Sequence, residues 1–363
     1  MRRLILCLAL ILGVTACAST PPRNTLQMDL DALQDQRSDV PGFAMALIWN
    51  GEIEVAATGV ADPDGTPMSP STPVRIASIT KTFVAASVLR LWEDGRLDLD
   101  ASIDGFLKPE IDSLLRSDGY NTEIITVRHL LIHASGMADH TGDGYVDQVF
   151  SDPRRVWTPF DQVATLVKDT DPLGEPGHQF TYSDTGYVLL GEVLKEATGL
   201  SLHQAVRELL VLDQLDLPTL YWDETEQPRE AVPARAHQWI DDFDIFAIHG
   251  SMDGHGGGGL VASVEDVSKF YHALFNDQVF ADPAALELMM TAPGHPSDSP
   301  YRLGLFTFEV AGYDAFHHGG FWGIYVTHVP SIDLTIAGVA LDQSGYQDLR
   351  AMMRRTIEGY SAE

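Results

Sequence analysis

The stretch "VRIASITKTF", residues 74–83, decides how the rest of the chain is read. Ser78 and Lys81 stand three positions apart, and the run "TKTFVAASVLRLWEDG" that follows has helical spacing and a stop at Gly95. Residues three apart share a helix face, with Cβ atoms about 5–6 Å apart, so the hydroxyl and the amine can touch. Apolar Ile79, Phe83 and Val84 around Lys81 would disfavour its ammonium form and let it share a proton with the serine. A helix start also presents free backbone N–H groups, which suit an oxyanion at Ser78. An isolated Ser-x-x-Lys is nevertheless common by chance, and a serine at such a place often only caps its helix. The pair needs partners elsewhere in the chain.

Around this stretch lies a globular chain. Its 363 residues are 45% apolar and 9% aromatic, enough to build a core for about two ordinary packing units. Arg2 and Arg3 precede an apolar run from Leu4 to Val14, followed by small residues and Cys17, which is the pattern of a secretory signal. The run is too short for a permanent span, and "VTAC" resembles the lipobox of bacterial lipoproteins, which implies lipidation of Cys17. The expected location is the periplasmic side of a bacterial envelope membrane, held by a lipid anchor, or otherwise secretion. Cys7 and Cys17 both fall in this segment, so the mature chain has no thiol for a disulfide, a metal or catalysis. Without Arg2 and Arg3 the 23 basic side chains become 21, against 52 acidic ones, a net of about −31 that argues against nucleic acid as a partner.

Residues 1–17 are thus expected to be leader and 18–39 a tether and N-terminal helix. "GFAMALIWNGEIEVAATGVAD" reads as two strands around an Asn50-Gly51 turn. From there to about residue 258 helical stretches alternate with Gly/Pro/Asp-rich loops, with no clear strand run. Strand patterns return in "YRLGLFTFEV", "YDAFHH", "WGIYVTHVP" and "LTIAGVALD", and "YQDLRAMMRRTIEGY" closes the chain as a helix. The expected fold class is α+β, an antiparallel sheet flanked by helices with an inserted, mostly helical domain. Its main domain covers 40–361, with the sheet part at about 40–78 and 260–361 and the helical part at about 79–259. A cleft between the two parts is the natural place for a site.

Three further stretches meet the need for partners: "LLIHASGM", "YSDTGYVLLGEVLKEATG" and "HHGGFWG", in that order after Ser78. Together with Ser-x-x-Lys they resemble the serine hydrolases typified by class C β-lactamases and related D-Ala-D-Ala carboxypeptidases, D-aminopeptidases and esterases. The resemblance implies a β-lactamase/transpeptidase-like fold, Ser78 as the acylated nucleophile, Lys81 as its motif partner and Tyr182 as a proton-exchanging phenol. A tyrosine is a poor base at its usual pKa of about 10, so this role needs Lys81 close by. By the same resemblance His317-His318-Gly319 falls where the family has Lys-Thr-Gly or His-x-Gly. Counting back from Gly323 favours His317 at the lysine position, and the N–H groups of Gly320 and Ser78 form the expected oxyanion hole. Asp184 stands where the family usually has an asparagine. It either pins Lys81 as a cation or forfeits the amide contact to an acylamide substrate. A histidine, mostly neutral at pH 7, grips a carboxylate less firmly than lysine. Both departures argue against avid binding of anionic penicillins and toward an ester or a peptide.

Other signals carry less. His129, His133 and His140 cluster without a carboxylate that completes a zinc motif, and the resemblance makes His133 structural. "GHGGGG" at 254–259 lacks the Lys-Ser/Thr of a phosphate loop and reads as a flexible turn, and "DPDG" at 62–65 reads as a β-turn. Trp239 either lines the cleft or packs as an ordinary aromatic. The expected function is an extracytoplasmic serine hydrolase that forms an acyl-enzyme on Ser78, acts on an ester, amide or peptide and requires no cofactor. The alternative is a penicillin- or peptidoglycan-binding lipoprotein that acylates slowly or not at all.

Overall fold

A computed structural model describes residues 25–360, so the expected leader, its Cys17 and most of the tether lie outside the described residues. The strands are β1 (Gly42–Trp49), β2 (Glu52–Gly59), β3 (Val74–Arg75), β4 (Tyr221–Trp222), β5 (Trp239–Ile240), β6 (Phe243–Asp244), β7 (Leu260–Ala262), β8 (Phe306–Val310), β9 (Tyr313–Gly320), β10 (Ile324–Val329) and β11 (Leu334–Ala340). The helices are α1 (Thr25–Gln36), α2 (Thr80–Glu93), α3 (Pro109–Ser117), α4 (Val127–Leu131), α5 (Asp143–Ser151), α6 (Pro159–Asp169), α7 (Asp184–Thr198), α8 (Leu202–Leu209), α9 (Val264–Phe275), α10 (Pro283–Thr291) and α11 (Tyr346–Tyr360).

Six strands form one sheet in the order β2-β1-β11-β10-β9-β8, and its neighbouring strands pair antiparallel. Its first hairpin turns at Asn50 and Gly51, whose φ angles of 48° and 79° are the two positive values of a type I′ turn. Edge strand β2 carries Glu52 and Glu54, charges that discourage pairing with another chain. The side-chain period of two then divides the core. Phe43, Met45, Leu47, Ile336 and Ala315 face α1 and α11, while Ala44, Ala46, Ala337 and Val339 face the larger core that contains α2, α7 and α9.

The middle of the chain is helical as expected, with three short strands, β4, β5 and β6, that its pattern did not announce. α2 is buried all round from Thr80 to Leu89, which marks it as the central helix. α7 is equally enclosed from Thr185 to Leu194. The "DPDG" segment is a turn, closed by Gly65 N–H to Asp62 O at 3.2 Å. Trp239 stacks on His237 and packs against the larger core.

Candidate active site

Ser78 sits in a 3₁₀ turn (Ala77–Ile79) between β3 and α2. Ala77 has φ +44°, a conformation that a residue with a Cβ adopts only under restraint from its surroundings. The residue that caps α2 is Ile79, with no side-chain cap bond, so capping is not what Ser78 does. Instead its Oγ accepts from Lys81 Nζ at 2.9 Å, and Lys81 Nζ lies 5.1 Å from the centre of the Tyr182 ring, which borders the same cavities as Ser78. Tyr182, about a hundred residues further along the chain, thus joins Ser78 and Lys81 in one cluster.

Lys81 is fully buried. Its Nζ also donates to Gly257 O at 2.5 Å and is ion-paired with Asp184. Burial alone would lower its pKa, but Asp184 and then Tyr182 outweigh that and hold it above the ordinary lysine value. The ion pair with Asp184 thus favours the cationic form of Lys81. Tyr182 is pushed up to about 12 by burial, against the pull of Lys81. It stays a phenol at neutral pH.

The second side of the site is the start of α7. Ser183 caps that helix, accepting from Gly186 N–H and donating to Ala138 O at 2.6 Å, which sets Tyr182 just before the helix and Asp184 in its first turn. His133, with φ +53°, braces the same corner: its ring lies 4.2 Å from that of Tyr182, and its Nδ1 accepts from Ser183 N–H at 3.1 Å. Asp139 Oδ1 accepts the Asp184 N–H at 3.1 Å. Burial and then the Asp184 charge push the Asp139 carboxyl up to about 6.

The third side is the end of β9. Here the period of two reverses the expected register. His317 shares a face with Ala315 and turns toward α11, 5.3 Å from Phe306 and 5.0 Å from Tyr325 by ring centroids. His318 is the histidine on the Ser78 side; its buried ring stays neutral through desolvation and then the nearby Lys81 cation. Its Nδ1 lies 2.9 Å from Gly319 O and its Nε2 3.1 Å from the Tyr301 hydroxyl. β8 pairs with β9 only as far as His317, so the outer edge of β9 is open from His318 onward, where it meets the serine turn. A Cβ on Gly320 would come within 2.5 Å of Ile76 O, and one on Gly319 within 2.3 Å of the Tyr346 hydroxyl. Gly320 is required by its close approach to backbone, whereas the obstacle at Gly319 is the tip of a side chain.

Two cavities flank Ser78. One, of about 290 Å³, runs past Tyr182, Asp184 and Gly257. The other, of about 390 Å³, is bordered by His317, His318, Gly319, Gly320 and Arg350. The residue pattern missed Gly257, because a backbone carbonyl has no side-chain signature. The "GHGGGG" turn is thus part of the site, and a Cβ at Gly256 would come within 2.4 Å of Tyr187 O.

The Beta-lactamase family model matches residues 30–358. The chain is 26% identical over 316 residues to the D-aminopeptidase of Gluconobacter oxydans (strain 621H), covering 82% of this chain and 55% of that one. It is 24% identical over 283 residues to Penicillin-binding protein 4* of Bacillus subtilis (strain 168), covering 74% and 60%. The chain thus spans little more than half the length of these two relatives. A D-stereospecific amidohydrolase from Streptomyces sp. superposes with a TM-score of 0.75 at 25% identity, covering 89% of this chain and 95% of that one. With its sheet, its central helix and its Ser-x-x-Lys in the expected places, the chain belongs to the Beta-lactamase family.

Proposed function

We propose that the chain is an extracytoplasmic serine hydrolase that cleaves an amide or peptide through an acyl-enzyme on Ser78. The observation that carries this is the cluster of Ser78, Lys81 and Tyr182, with Ser78 and Lys81 hydrogen-bonded and Tyr182 beside them, at the mouth of two cavities. Relatives named as a D-aminopeptidase and a D-stereospecific amidohydrolase agree with amide chemistry.

In the acylation step Ser78 Oγ bonds to the substrate carbonyl carbon and the bond to the leaving nitrogen breaks. The serine proton passes to the Tyr182 oxygen as the Tyr182 proton passes to the leaving group, so a free phenolate need not accumulate. Lys81, kept cationic by Asp184, stabilises the negative charge that develops on Tyr182. The N–H groups of Ser78 and of Gly320, at the open end of β9, receive the oxyanion. Water then attacks the ester with the same shuttle reversed and releases the acid. A neutral His318 offers a substrate carboxylate no charge, which favours substrates without a carboxylate over anionic penicillins.

Purified protein and Ser78→Ala are assayed on an amino-acid amide, a D-Ala-D-Ala peptide, a short-chain aryl ester and a chromogenic cephalosporin, with mass spectrometry of the Ser78 peptide. Turnover that disappears with Ser78, and an acyl adduct on that peptide, are expected; turnover retained in Ser78→Ala refutes the mechanism. A firmly cationic Lys81 also favours a second reading, a penicillin- or peptidoglycan-binding protein that deacylates slowly. It would give a stoichiometric adduct without turnover. The location rests on the leader pattern and on Cys17 as lipid acceptor, tested by incorporation of a labelled fatty acid that Cys17→Ser abolishes.

A further inference from the structure

The cavity of about 290 Å³ beside Ser78 has a mostly apolar wall that includes Val146, Val149, Val188 and Met252. Three carboxylates interrupt that wall: Asp139, Asp184 and Asp253. Asp184 is neutralised by Lys81. Among the described residues no lysine or arginine is ion-paired with Asp139 or Asp253; Asp139 has the neutral ring of His140 3.6 Å away and accepts from the Thr141 hydroxyl at 2.8 Å and the Asp184 N–H at 3.1 Å, none of which carries a positive charge. Arg75 acts on Asp253 from a distance, but it is itself committed to Asp223 and to the carbonyls of Ile245 and Ile248.

A second observation comes from Gln162, a side chain only 1% exposed on the same wall. Its Nε2 is taken by Met252 O at 2.7 Å and by the Tyr145 hydroxyl at 3.2 Å, while its Oε1 has no donor. Two carboxylates without a cationic partner and an orphan amide oxygen are all acceptors, and an ammonium, with three donors and a positive charge, complements them. Trp322 Nε1, a buried donor on this wall, is also open, so the ligand brings an acceptor besides its cation. Asp253, Asp139 and Ser78 line the same cavity, so a cationic group held by the two carboxylates shares that cavity with the nucleophile.

We propose that this cavity binds the primary ammonium of the substrate's acyl group, with Asp253 and Asp139 as specificity determinants. The substrate class is then amino-acyl amides or peptides with an unblocked amine next to the scissile carbonyl, so this inference rests on the hydrolase reading for its substrate but not for its binding test. Asp139 holds the Asp184 N–H as well, which couples recognition to the corner that carries Tyr182.

The test is calorimetric titration of the full Ser78→Ala protein with D- and L-phenylalaninamide and with the amine-free 3-phenylpropanamide. At least one enantiomer of the amine binds about tenfold or more tightly than the amine-free amide, the scale of a charge-assisted hydrogen bond. Asp253→Asn and, separately, Asp139→Asn each shrink that ratio. Two variants guard against one that fails to fold, and thermal melts identify such a case. Equal binding of all three amides, no binding of any, or a ratio that survives in both folded variants overturns the proposal. Ser78-dependent hydrolysis of a neutral ester without any amine preference would sink this inference and leave the hydrolase reading standing. Amine-selective binding without any hydrolysis would do the reverse.

Discussion

Lys81 and Asp184 form an ion pair in which each residue comes from the first turn of a different helix, α2 and α7. The two ends are not equivalent. A carboxylate at a helix N-terminus is favoured by the macrodipole, whereas a buried ammonium there is opposed by it and by desolvation. Asp184 is what keeps Lys81 charged, and Lys81 in turn places a cation under Ser78 and Tyr182.

Replacing Asp184 by Asn removes the larger of the two charges that hold up the Lys81 pKa, and burial then takes over. The Lys81 pKa falls, so the cation that stabilises Tyr182 is lost at a lower pH. The alkaline limb of the kcat/KM profile should move toward acid, and amides, with the poorer leaving group, should lose more turnover than simple esters. An unchanged profile with equal effects on both substrates would contradict this role.

Removing the cation instead leaves the Asp184 carboxylate without its partner. Lys81→Ala should abolish activity and destabilise the fold by roughly 2–3 kcal/mol, less than for a fully buried pair because Asp184 keeps some exposure. The double variant Lys81→Ala/Asp184→Asn should recover part of the stability and none of the activity. Thermal melts of the three variants check this; equal melting points for single and double variants would count against the pair.

Much of the fold was legible because the side-chain periods are regular. The Asn50-Gly51 hairpin, the four late strands and the helix at 346–360 all stand where their patterns put them. The site was legible where chemistry needs a side chain, at Ser78, Lys81 and Tyr182, whose types and order are distinctive. It was illegible where the signal is phase or backbone. Both faces of β9 carry mixed residues, Tyr313, Ala315 and His317 against Asp314, Phe316 and His318, so pattern alone could not choose which histidine faces Ser78. Gly257 acts through a carbonyl, and Asp139 and Asp253 are lone acids among 52 acidic residues.

The close approach of β9 to the serine turn gives a steric prediction. A methyl group at Gly320 meets the Ile76 carbonyl at 2.5 Å, and the obstacle is backbone that cannot rotate away. Gly320→Ala should therefore push the strand off the turn, costing about 1–3 kcal/mol of stability and at least about tenfold in kcat through displaced oxyanion donors. Gly105→Ala, where a Cβ meets nothing within 4 Å, is the control. Similar kinetics for the two variants would show that β9 does not form part of the site.

The last prediction concerns acid. Burial holds five histidines neutral: His140 is lowered to about 4, His317 and His328 to about 3, and His133 and His318 fall well below their usual value. In the unfolded chain each titrates near about 6.5, so below that pH the unfolded state binds more protons and stability falls as pH falls. Each histidine contributes at most about 1.4 kcal/mol per pH unit in that window. Asp139 and Asp253, both raised to about 6, act oppositely: between about pH 6 and 4 the folded state holds their protons and gains stability on acidification. His129 and His255 are lowered by burial as well, and Asp118 and Asp266 are raised, so seven histidines stand against four aspartates and leave a net loss; urea midpoints should drop steadily from pH 6.5 to 4.5. Asp253→Asn removes one opposing group, and its slope in that interval should be steeper than that of the wild type. A midpoint that stays level or climbs from pH 6.5 to 4.5 would mean that the histidines take up protons without unfolding, and that the neutral His318 assumed in the acylation step is wrong.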